Sequence, residues 1–285
     1  MEKVTVLVNS CDLYIDTWNP QIELWYIQWP DCPYNIVINT ETKEYHNEKF
    51  PLVSTFCSGE GLTWSQRFRK VVSHIDTEFI LFTIDDYFIQ KPVNTEVFEY
   101  AVNLMGQNKN IGMICLAGTN KQGIKTDAYE DDYFWSRVID KHNLIWCRTC
   151  LYRKDYLLKL IRDHETIWEF ESFCSYRAKR LPYIILQENS NHEETFTFKV
   201  KHENGYGVSG KKWLPKNVEL FERYGIEVNY DGLGIRDFTK PIPAEEQSKE
   251  KKGSKTREFL YRFKQELKAE KKKIVKFIRK LKSMI

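Results

Sequence analysis

Short apolar runs alternate with amphipathic segments over the first 225 residues of the chain. Each run is rich in β-branched and aromatic residues and has the length of a strand that is buried on both faces. The segments between the runs have the apolar spacing of one helix face. The predicted strands are residues 3–9, 35–39, 53–56, 79–84, 111–116 and 183–186, and the predicted helices are residues 20–28, 64–74, 96–105, 154–162, 167–180 and 217–224. This alternation predicts an α/β fold, with a mostly parallel central sheet flanked by helices.

Local signals set the expected boundaries of several elements. Asn19 followed by Pro20 predicts a helix start, because a capping side chain before a proline is typical of a helix N-terminus. Thr63 and Ser65 are alternative caps for the helix that follows them. Residues 119–130 are polar and contain a glycine, so we expect a loop there.

The composition is that of a folded protein, with 42% hydrophobic and 14% aromatic residues. The sequence contains no apolar run long enough to span a bilayer, and residues 1–10 do not form a cleavable signal. Seven cysteines are scattered along the chain, and Cys147 and Cys150 lack the second pair that a zinc site would need. We therefore expect reduced thiols and a cytoplasmic protein.

The net charge of +3 is unevenly distributed. Residues 249–285 contain fifteen Lys or Arg and four Glu, so the rest of the chain is acidic. Residues 241–253 combine proline, serine and many charges. This pattern predicts a domain at residues 1–240, a linker at residues 241–255 and a basic amphipathic helix at residues 256–285.

The predicted C-terminal helix has a narrow apolar stripe on an otherwise basic surface. The stripe consists of Leu260, Phe263, Leu267, Ile274, Phe277, Ile278, Leu281 and Ile285. Such a helix is typical of proteins that lie on an anionic membrane, and we expect it to bind the inner face of the cell membrane. A coiled-coil arm and a helix docked on its own domain are the alternatives. Nucleic-acid binding is not expected, because the domain is acidic and phosphate binding needs no apolar stripe.

Two adjacent carboxylates, Asp85 and Asp86, follow the apolar strand at residues 79–84. Like charges this close raise each other's free energy unless a cation lies between them. Ligands of open α/β sheets bind at the carboxyl ends of the strands, where this pair would lie. The pair therefore predicts a divalent-metal site that holds a phosphorylated ligand. Two solvated aspartates at a turn are the alternative.

Four stretches of the sequence resemble those of bacterial glycosyltransferases with the GT-A fold, of the kind found in capsule and O-antigen loci. They are V-L-V-N-S-C-D at residues 6–12, L-T-W-S-Q-R at 62–67, F-I-L-F-T-I-D-D-Y-F at 79–88 and W-E-F-E at 168–171. The resemblance implies a Rossmann-like GT-A fold. It also implies transfer of a sugar from a nucleotide-sugar donor, with Mn²⁺ or Mg²⁺ as the cofactor.

The resemblance implies roles for residues on the metal side of the site. The metal motif of the family is commonly Asp-x-Asp and stands here as Ile84-Asp85-Asp86. This departure leaves open which of the two aspartates binds the metal directly. We assign Asp86 to the metal and Asp85 to the bound nucleotide. His202, in a C-terminal loop, is the candidate for a further metal ligand.

The nucleotide is expected next to the first strand, where the base and ribose bind in GT-A enzymes. The polar side chains that end or follow this strand are Asn9, Ser10 and Asp12. UDP is the expected nucleotide, because it is the commonest donor in this fold. Arg67, together with Lys211 or Lys212, is the candidate for the diphosphate, since these cations can pair with phosphate.

Inverting transfer needs a general base that takes the proton from the acceptor hydroxyl. In similar enzymes this base is an acid at the start of a helix, which points to W-E-F-E. Glu169 and Glu171 cannot both face the cleft, because residues two apart on a helix lie on different sides. By likeness to the family we assign Glu171, and an acid that favours the helix dipole is its alternative role. Asp131 and Asp132 are expected at the acceptor site, with Asp132 as a second catalytic candidate, and a solvated loop is the alternative for this pair.

These assignments predict a metal-dependent inverting glycosyltransferase that builds a surface polysaccharide on a saccharide or lipid-linked acceptor. A nucleotidyltransferase would share the sheet and the acidic metal site, but it would usually carry a glycine-rich basic loop after the first strand. That loop reads N-S-C-D-L-Y here and contains no glycine. A non-catalytic scaffold that reaches the membrane through its basic tail is the third reading.

Overall fold

The computed structural model of the chain describes residues 3–117, 125–137, 147–198 and 207–237. The residues up to Arg236 belong to one compact unit. The predicted linker and the predicted basic helix lie outside the described residues. Within the described ranges, no helix is both long and apolar enough to cross a membrane.

Nine strands form the central sheet of this part of the chain. They are β1 (Val4–Asn9), β2 (Ile36–Thr40), β3 (Val53–Cys57), β4 (Phe79–Ile84), β5 (Ile111–Cys115), β6 (Lys125–Glu130), β7 (Phe134–Arg137), β8 (Cys150–Arg153) and β9 (Ile184–Glu188). Two short strands, β10 (Val208–Ser209) and β11 (Lys212–Trp213), form a separate hairpin. The described α-helices are α1 (Ile15–Gln28), α2 (Trp64–His74), α3 (Thr95–Gln107), α4 (Lys154–Leu160), α5 (Ile167–Ala178) and α6 (Pro215–Tyr224).

The strand order across the sheet is β3-β2-β1-β4-β8-β5-β9-β7-β6. The strands β3, β2, β1 and β4 are parallel neighbours, and β5 and β9 form a further parallel pair. Among the nine described strands of the central sheet, only β7 and β8 run antiparallel to the other seven. The predicted α/β fold with a mostly parallel central sheet is therefore confirmed. The carboxyl ends of β1, β2 and β4 meet at one edge of the sheet, here named the carboxyl edge.

Helices cover both faces of the sheet, which explains why its strands are apolar on both sides. The helices α1 and α3 pack on one face through large buried side chains such as Trp25 and Phe98. The helices α2, α4 and α5 pack on the other face through Phe68, Tyr156 and Phe170. Burial of this much aromatic surface on each side makes the sheet a rigid base for groups at its edge.

The predicted start of the first helix at Asn19 and Pro20 is wrong. The helix α1 begins at Ile15, directly after a short 3₁₀ turn at Asp12–Tyr14, and Pro20 lies inside it. The Asn19 amide donates to Glu23 at 2.7 Å instead of capping the helix. Burial of Trp18 against the sheet holds the first turn in place, which outweighs the backbone hydrogen bond that Pro20 cannot make. Of the two candidate caps for α2, the structure uses Thr63, in a reciprocal capping box.

The sequence analysis missed three strands of the central sheet, and also the two short strands β10 and β11. Residues 125–130, expected in a loop, form β6, which is polar because it is the exposed last strand of the sheet. The strands β7 and β8 are only four residues long. Their conformation depends on pairing with neighbours that are distant in sequence, so local pattern gives a weak signal for them.

Candidate active site

The two aspartates lie at the carboxyl edge, at the end of β4. Asp85 is 8% exposed, and its Oδ2 accepts a hydrogen bond from Ser10 Oγ at 2.5 Å. The indole Nε1 of Trp18 donates to the same Ser10 oxygen at 2.6 Å. The strands β1 and β4 are parallel neighbours with Asn9 level with Ile84. This register brings Ser10 to Asp85, so the structure joins two of the sequence-predicted residues directly.

The pKa values of both aspartates are raised, so their charged forms are not fully stabilised by the surrounding protein. Burial raises the pKa of Asp85, and the neighbouring charge of Asp86 raises it further, although Ser10 opposes the shift. Burial also raises the pKa of Asp86, against hydrogen bonds from the Val208 and Gly207 backbone. Carboxyls held in this way favour a proton or a cation nearby.

The donor set fits a hard divalent cation that shares its coordination with a phosphorylated ligand. Among the described residues, no group of three or more His, Cys, Asp or Glu side chains could hold a metal by itself. Mg²⁺ is commonly bound by one or two carboxylates, with water and phosphate oxygens completing its shell. Asp85 and Asp86 supply this type of partial site.

The segment from Gly207 to Trp213, which contains the phosphate candidates Lys211 and Lys212, reaches Asp86 through its backbone. The Gly207 N–H donates to the Asp86 carbonyl oxygen at 2.6 Å, and the Val208 N–H lies 3.4 Å from Asp86 Oδ2. Lys211 is at the exposed tip of the β10–β11 hairpin, in the left-handed conformation of a two-residue turn. His202, the other candidate from this loop, lies outside the described residues.

We expect Gly207→Ala to destabilise the fold by about 1–3 kcal/mol. A Cβ at this position would overlap the ring of Phe88 and crowd the Asp86 carbonyl. Thermal unfolding measures the effect. The matched control is Gly106→Ala in α3, where nothing lies within 4 Å of the added Cβ. It should raise stability by about 0.5–1 kcal/mol, because alanine is the better helix former. Equal unfolding temperatures for the two variants would contradict the predicted packing.

Buried amides continue the site across the ends of the next two strands. The Asn39 amide donates to Asn9 Oδ1 at 2.8 Å, and Ser58 Oγ donates to Asn39 Oδ1 at 2.6 Å. The sequence analysis chose Asn9 and missed Asn39 and Ser58. The signal was present, because each of these residues ends or follows a predicted strand.

Asp12 organises a loop at this edge. Its carboxylate accepts backbone hydrogen bonds from Glu41, Thr42 and Lys43 at 3.0–3.2 Å, and a hydroxyl hydrogen bond from Thr42 at 2.6 Å. Partial burial opposes ionisation, but these donors lower the pKa of Asp12 to about 2. The charged Asp12 thus holds the loop after β2 in place.

Arg67 lies in the first turn of α2 and is 8% exposed. Its guanidinium pairs with Glu41, which follows β2. The charge of Glu41 also raises the pKa of Asp85. Arg67 therefore approaches the aspartate pair through an acidic partner, which the sequence analysis missed.

The two glutamates of W-E-F-E have different hydrogen-bond partners in the structure. Glu169 forms the capping box of α5, in which its Oε2 accepts from the Thr166 N–H at 2.8 Å. Glu171 Oε1 accepts from the Cys147 N–H at 2.7 Å. Burial raises the pKa of Glu171, although the Cys147 N–H and the charge of Arg148 lower it. Glu169 is thus the acid that stabilises the helix start, and Glu171 faces inward.

Tyr87 links Glu171 to the aspartate pair. Burial raises the pKa of Tyr87, the charge of Arg148 lowers it, and the charges of Asp86 and Glu171 raise it further. Interactions of this kind act over short distances, so Asp86, Arg148 and Glu171 all lie near Tyr87. The sequence analysis missed Tyr87 and Arg148. Tyr87 directly follows the aspartates, whereas Arg148 stands inside C-R-T-C, which was considered only as a thiol motif.

Asp131 and Asp132 lie apart from this group, on the turn between β6 and β7. Asp131 accepts hydrogen bonds from Tyr100 Oη at 2.8 Å, from Tyr129 and from two backbone N–H groups, which lower its pKa despite partial burial. Asp132 is exposed. Four strand spacings separate β7 from β4, a distance of about 20 Å. The described structure does not bring either aspartate to Asp85.

Comparisons with known proteins give distant likenesses in fold. No protein-family model matches the chain, and no curated protein matches it either. S. aureus TarS 1-349 is 15% identical over 69% of this chain and 60% of that chain, with a TM-score of 0.44. A cytidylyltransferase from Leptospira borgpetersenii serovar Hardjo-bovis is 11% identical over 79% of this chain and 96% of that chain, with a TM-score of 0.41. UDP-glucose pyrophosphorylase complexed with UDP-glucose is 10% identical over 69% of this chain and 91% of that chain, with a TM-score of 0.44.

The matched region thus spans less than two thirds of the TarS structure. At these identities and TM-scores, we carry over no activity or substrate from any of the three proteins.

Proposed function

We propose that the chain is a metal-dependent inverting glycosyltransferase. In this proposal it moves a sugar from a nucleotide sugar, with UDP as the expected nucleotide, to a saccharide or lipid-linked acceptor in surface polysaccharide biosynthesis. The observation that carries the proposal is the carboxylate pair at the carboxyl edge, buried Asp85 and half-buried Asp86, with the charges of Asp86 and Glu171 both acting on Tyr87. The aspartate pair could hold a divalent cation bound to a diphosphate, and Glu171 could accept the proton of an acceptor hydroxyl.

On the donor side, Asp86 and Asp85 would hold Mn²⁺ or Mg²⁺. When bound, such an ion supplies Lewis-acid stabilisation of the charge that develops on the departing diphosphate. Ser10 orients Asp85 by donating to its Oδ2. Asn9 lies beside it in the buried amide chain and would face the nucleotide. Arg67 adds a positive charge near this end of the site.

On the acceptor side, Glu171 is the proposed general base. The Cys147 N–H fixes one of its oxygens, which leaves the orientation of the carboxylate defined. The raised pKa of Glu171 makes it a stronger base than an exposed glutamate, while Arg148 keeps the charged form accessible. In the transfer step the acceptor hydroxyl would lose its proton to Glu171 as its oxygen bonds to the sugar carbon, and the bond from that carbon to the diphosphate would break, releasing the nucleoside diphosphate.

A nucleotidyltransferase is the second candidate, because it would use the same kind of carboxylate pair. The segment after β1 argues against it. This segment forms a 3₁₀ turn at Asp12–Tyr14 that leads straight into α1, with Asp12 bound to the loop after β2. It presents no glycine-rich run of backbone donors for a triphosphate.

Product analysis separates these readings. The full-length chain is incubated with a panel of nucleotide sugars, or with nucleoside triphosphates and sugar 1-phosphates, each with Mn²⁺ and with excess chelator. The proposal expects metal-dependent release of a nucleoside diphosphate from one nucleotide sugar. Release of pyrophosphate from a triphosphate would identify a nucleotidyltransferase. Absence of both products, with no nucleotide binding, would favour the scaffold.

For the tail we propose attachment to the inner, cytoplasmic face of an anionic membrane. The sequence supports this through its apolar stripe and basic face, each engaged Lys or Arg contributing about 1 kcal/mol near such a surface. We expect the full-length chain to sediment with anionic vesicles at low salt and much less at high salt. A chain that ends at about residue 243 should remain in the supernatant.

Neutral vesicles are the control for this experiment. Equal binding to neutral and anionic vesicles, or binding by the chain that lacks the tail, would contradict membrane attachment through the basic helix. It would instead favour an oligomerising or docked helix.

A further inference from the structure

The helix α5 presents one large aromatic side chain to solvent next to the proposed base. Trp168 is 68% exposed, more than any other large apolar residue in the described ranges. The fold does not need this ring in the core, since the same helix is anchored by Phe170, which packs on Trp64 and Phe68. An indole with 68% of its surface exposed gains only part of the burial that aromatic residues normally gain.

The position of Trp168 relative to Glu171 follows from helix geometry. The two residues are three apart, so they are neighbours on the helix surface, with Cβ atoms about 5–6 Å apart. Side chains on a helix lean toward its N-terminus. The N-terminus of α5 lies at the carboxyl edge, because α5 runs back toward the start of β9. Trp168 therefore stands at the outer side of Glu171, next to where an acceptor hydroxyl would have to lie.

We infer that Trp168 is the platform for the acceptor, and that the acceptor ends in a sugar ring with an exposed C–H face. This inference rests on the proposed function and names the substrate class of its acceptor side. A pyranose ring offers a flat patch of C–H groups on one side and hydroxyls at its rim. Stacked on the indole, the ring would direct one rim hydroxyl toward Glu171, within the distance that proton transfer requires.

Alternative acceptors would not use this arrangement. An acyclic polyol or a bare lipid phosphate has no rigid C–H face for an indole to cover. Trp168 would then add little to its binding. The exposed indole ring thus favours an acceptor with a flat, rigid C–H face. This inference does not depend on the donor chemistry at Asp85 and Asp86.

Direct binding tests this inference without any transfer reaction. The full-length protein and three variants, Trp168→Ala, Trp168→Phe and Ile27→Ala, are titrated with p-nitrophenyl glycosides of glucose, galactose and N-acetylglucosamine, observed by saturation-transfer NMR, and with UDP and Mn²⁺ by calorimetry. Ile27 is the matched control, an exposed apolar residue near the far end of α1. We expect Trp168→Ala to weaken binding of at least one glycoside by about tenfold and Trp168→Phe by no more than about threefold. UDP affinity and the unfolding temperature should be unchanged in both.

Two outcomes overturn the platform. One is equal glycoside affinity in the wild-type protein and Trp168→Ala, which includes the case where no glycoside binds either. The other is a parallel loss of UDP affinity in Trp168→Ala, because the platform serves the acceptor alone. Failure of UDP to bind the wild-type protein is a separate result. It contradicts the proposed function, while the glycoside titration still decides the role of Trp168.

Discussion

Asp86→Asn is expected to abolish sugar transfer and, at the same time, to stabilise the metal-free protein. The amide keeps the size of the side chain and can still accept from the Val208 N–H. It removes a half-buried charge and the repulsion between Asp86 and Asp85. We expect loss of transfer by a factor on the order of 10²–10³ or more. The free energy of unfolding without metal should rise by about 1–3 kcal/mol at pH 7.

The raised pKa values also predict the direction in which stability changes with pH. The pKa of each aspartate is higher in the folded chain than in the unfolded chain. The folded state therefore binds more protons from about pH 4 upward, and the free energy of unfolding falls as the pH rises through the raised values. Mn²⁺ should restore stability at pH 7 in the wild-type protein, and Asp86→Asn should lose most of that response.

Thermal unfolding with Mn²⁺ and with chelator, at pH 4 to 8, measures both effects. Asp155→Asn is the control. Hydrogen bonds from Lys159 and Tyr183 lower the pKa of this carboxyl despite partial burial, and it lies at the opposite edge of the sheet. Its removal should destabilise slightly and leave the metal response intact. If Mn²⁺ changes neither the unfolding temperature nor the UDP affinity of the wild-type protein, the metal site is refuted.

Glu171→Gln is expected to retain nucleotide binding and to lose turnover by a factor on the order of 10²–10⁴. The amide oxygen can still accept from the Cys147 N–H, so the fold around it should persist. Only the proton acceptor is removed. In the wild-type protein, kcat/KM should rise with pH through a pKa above the ordinary glutamate value, because burial raises the pKa of Glu171.

The neighbouring glutamate provides the matched control. Glu169→Gln preserves the capping box, since glutamine can make the same hydrogen bond to the Thr166 N–H. Its turnover should stay close to that of the wild-type protein. Steady-state rates and UDP affinity for the two variants are the measurement. If Glu169→Gln is inactive while Glu171→Gln retains activity, the general base is Glu169 and not Glu171.

The sequence alone was informative where function depends on the order of residues along one strand. An apolar strand that ends in Asp85 and Asp86 places two carboxylates at the carboxyl edge, whatever the details of the helices. Asn9 and Ser10 were assigned to the nucleotide by likeness to the family, and the structure brings Ser10 to Asp85 because the neighbouring parallel strands β1 and β4 end together. Short apolar runs and helical spacing likewise predicted most of the buried strands and helices, because both are local properties of the chain.

The tertiary structure decided which of several equivalent side chains is already committed to the fold. Glu169 and Glu171 are alike in sequence, yet a hydrogen bond to Thr166 within the helix engages one, and a contact with the distant Cys147 orients the other. Asp12 follows the first strand as Ser10 does, but the loop after β2 occupies its carboxylate. The Glu169 contact is local, whereas the partners of Glu171, Asp12 and Ser10 are 24 to 75 residues away and come together only when the sheet and its helices pack. Residue order along a strand is therefore readable in the sequence, whereas the availability of a side chain for chemistry is set by its distant neighbours.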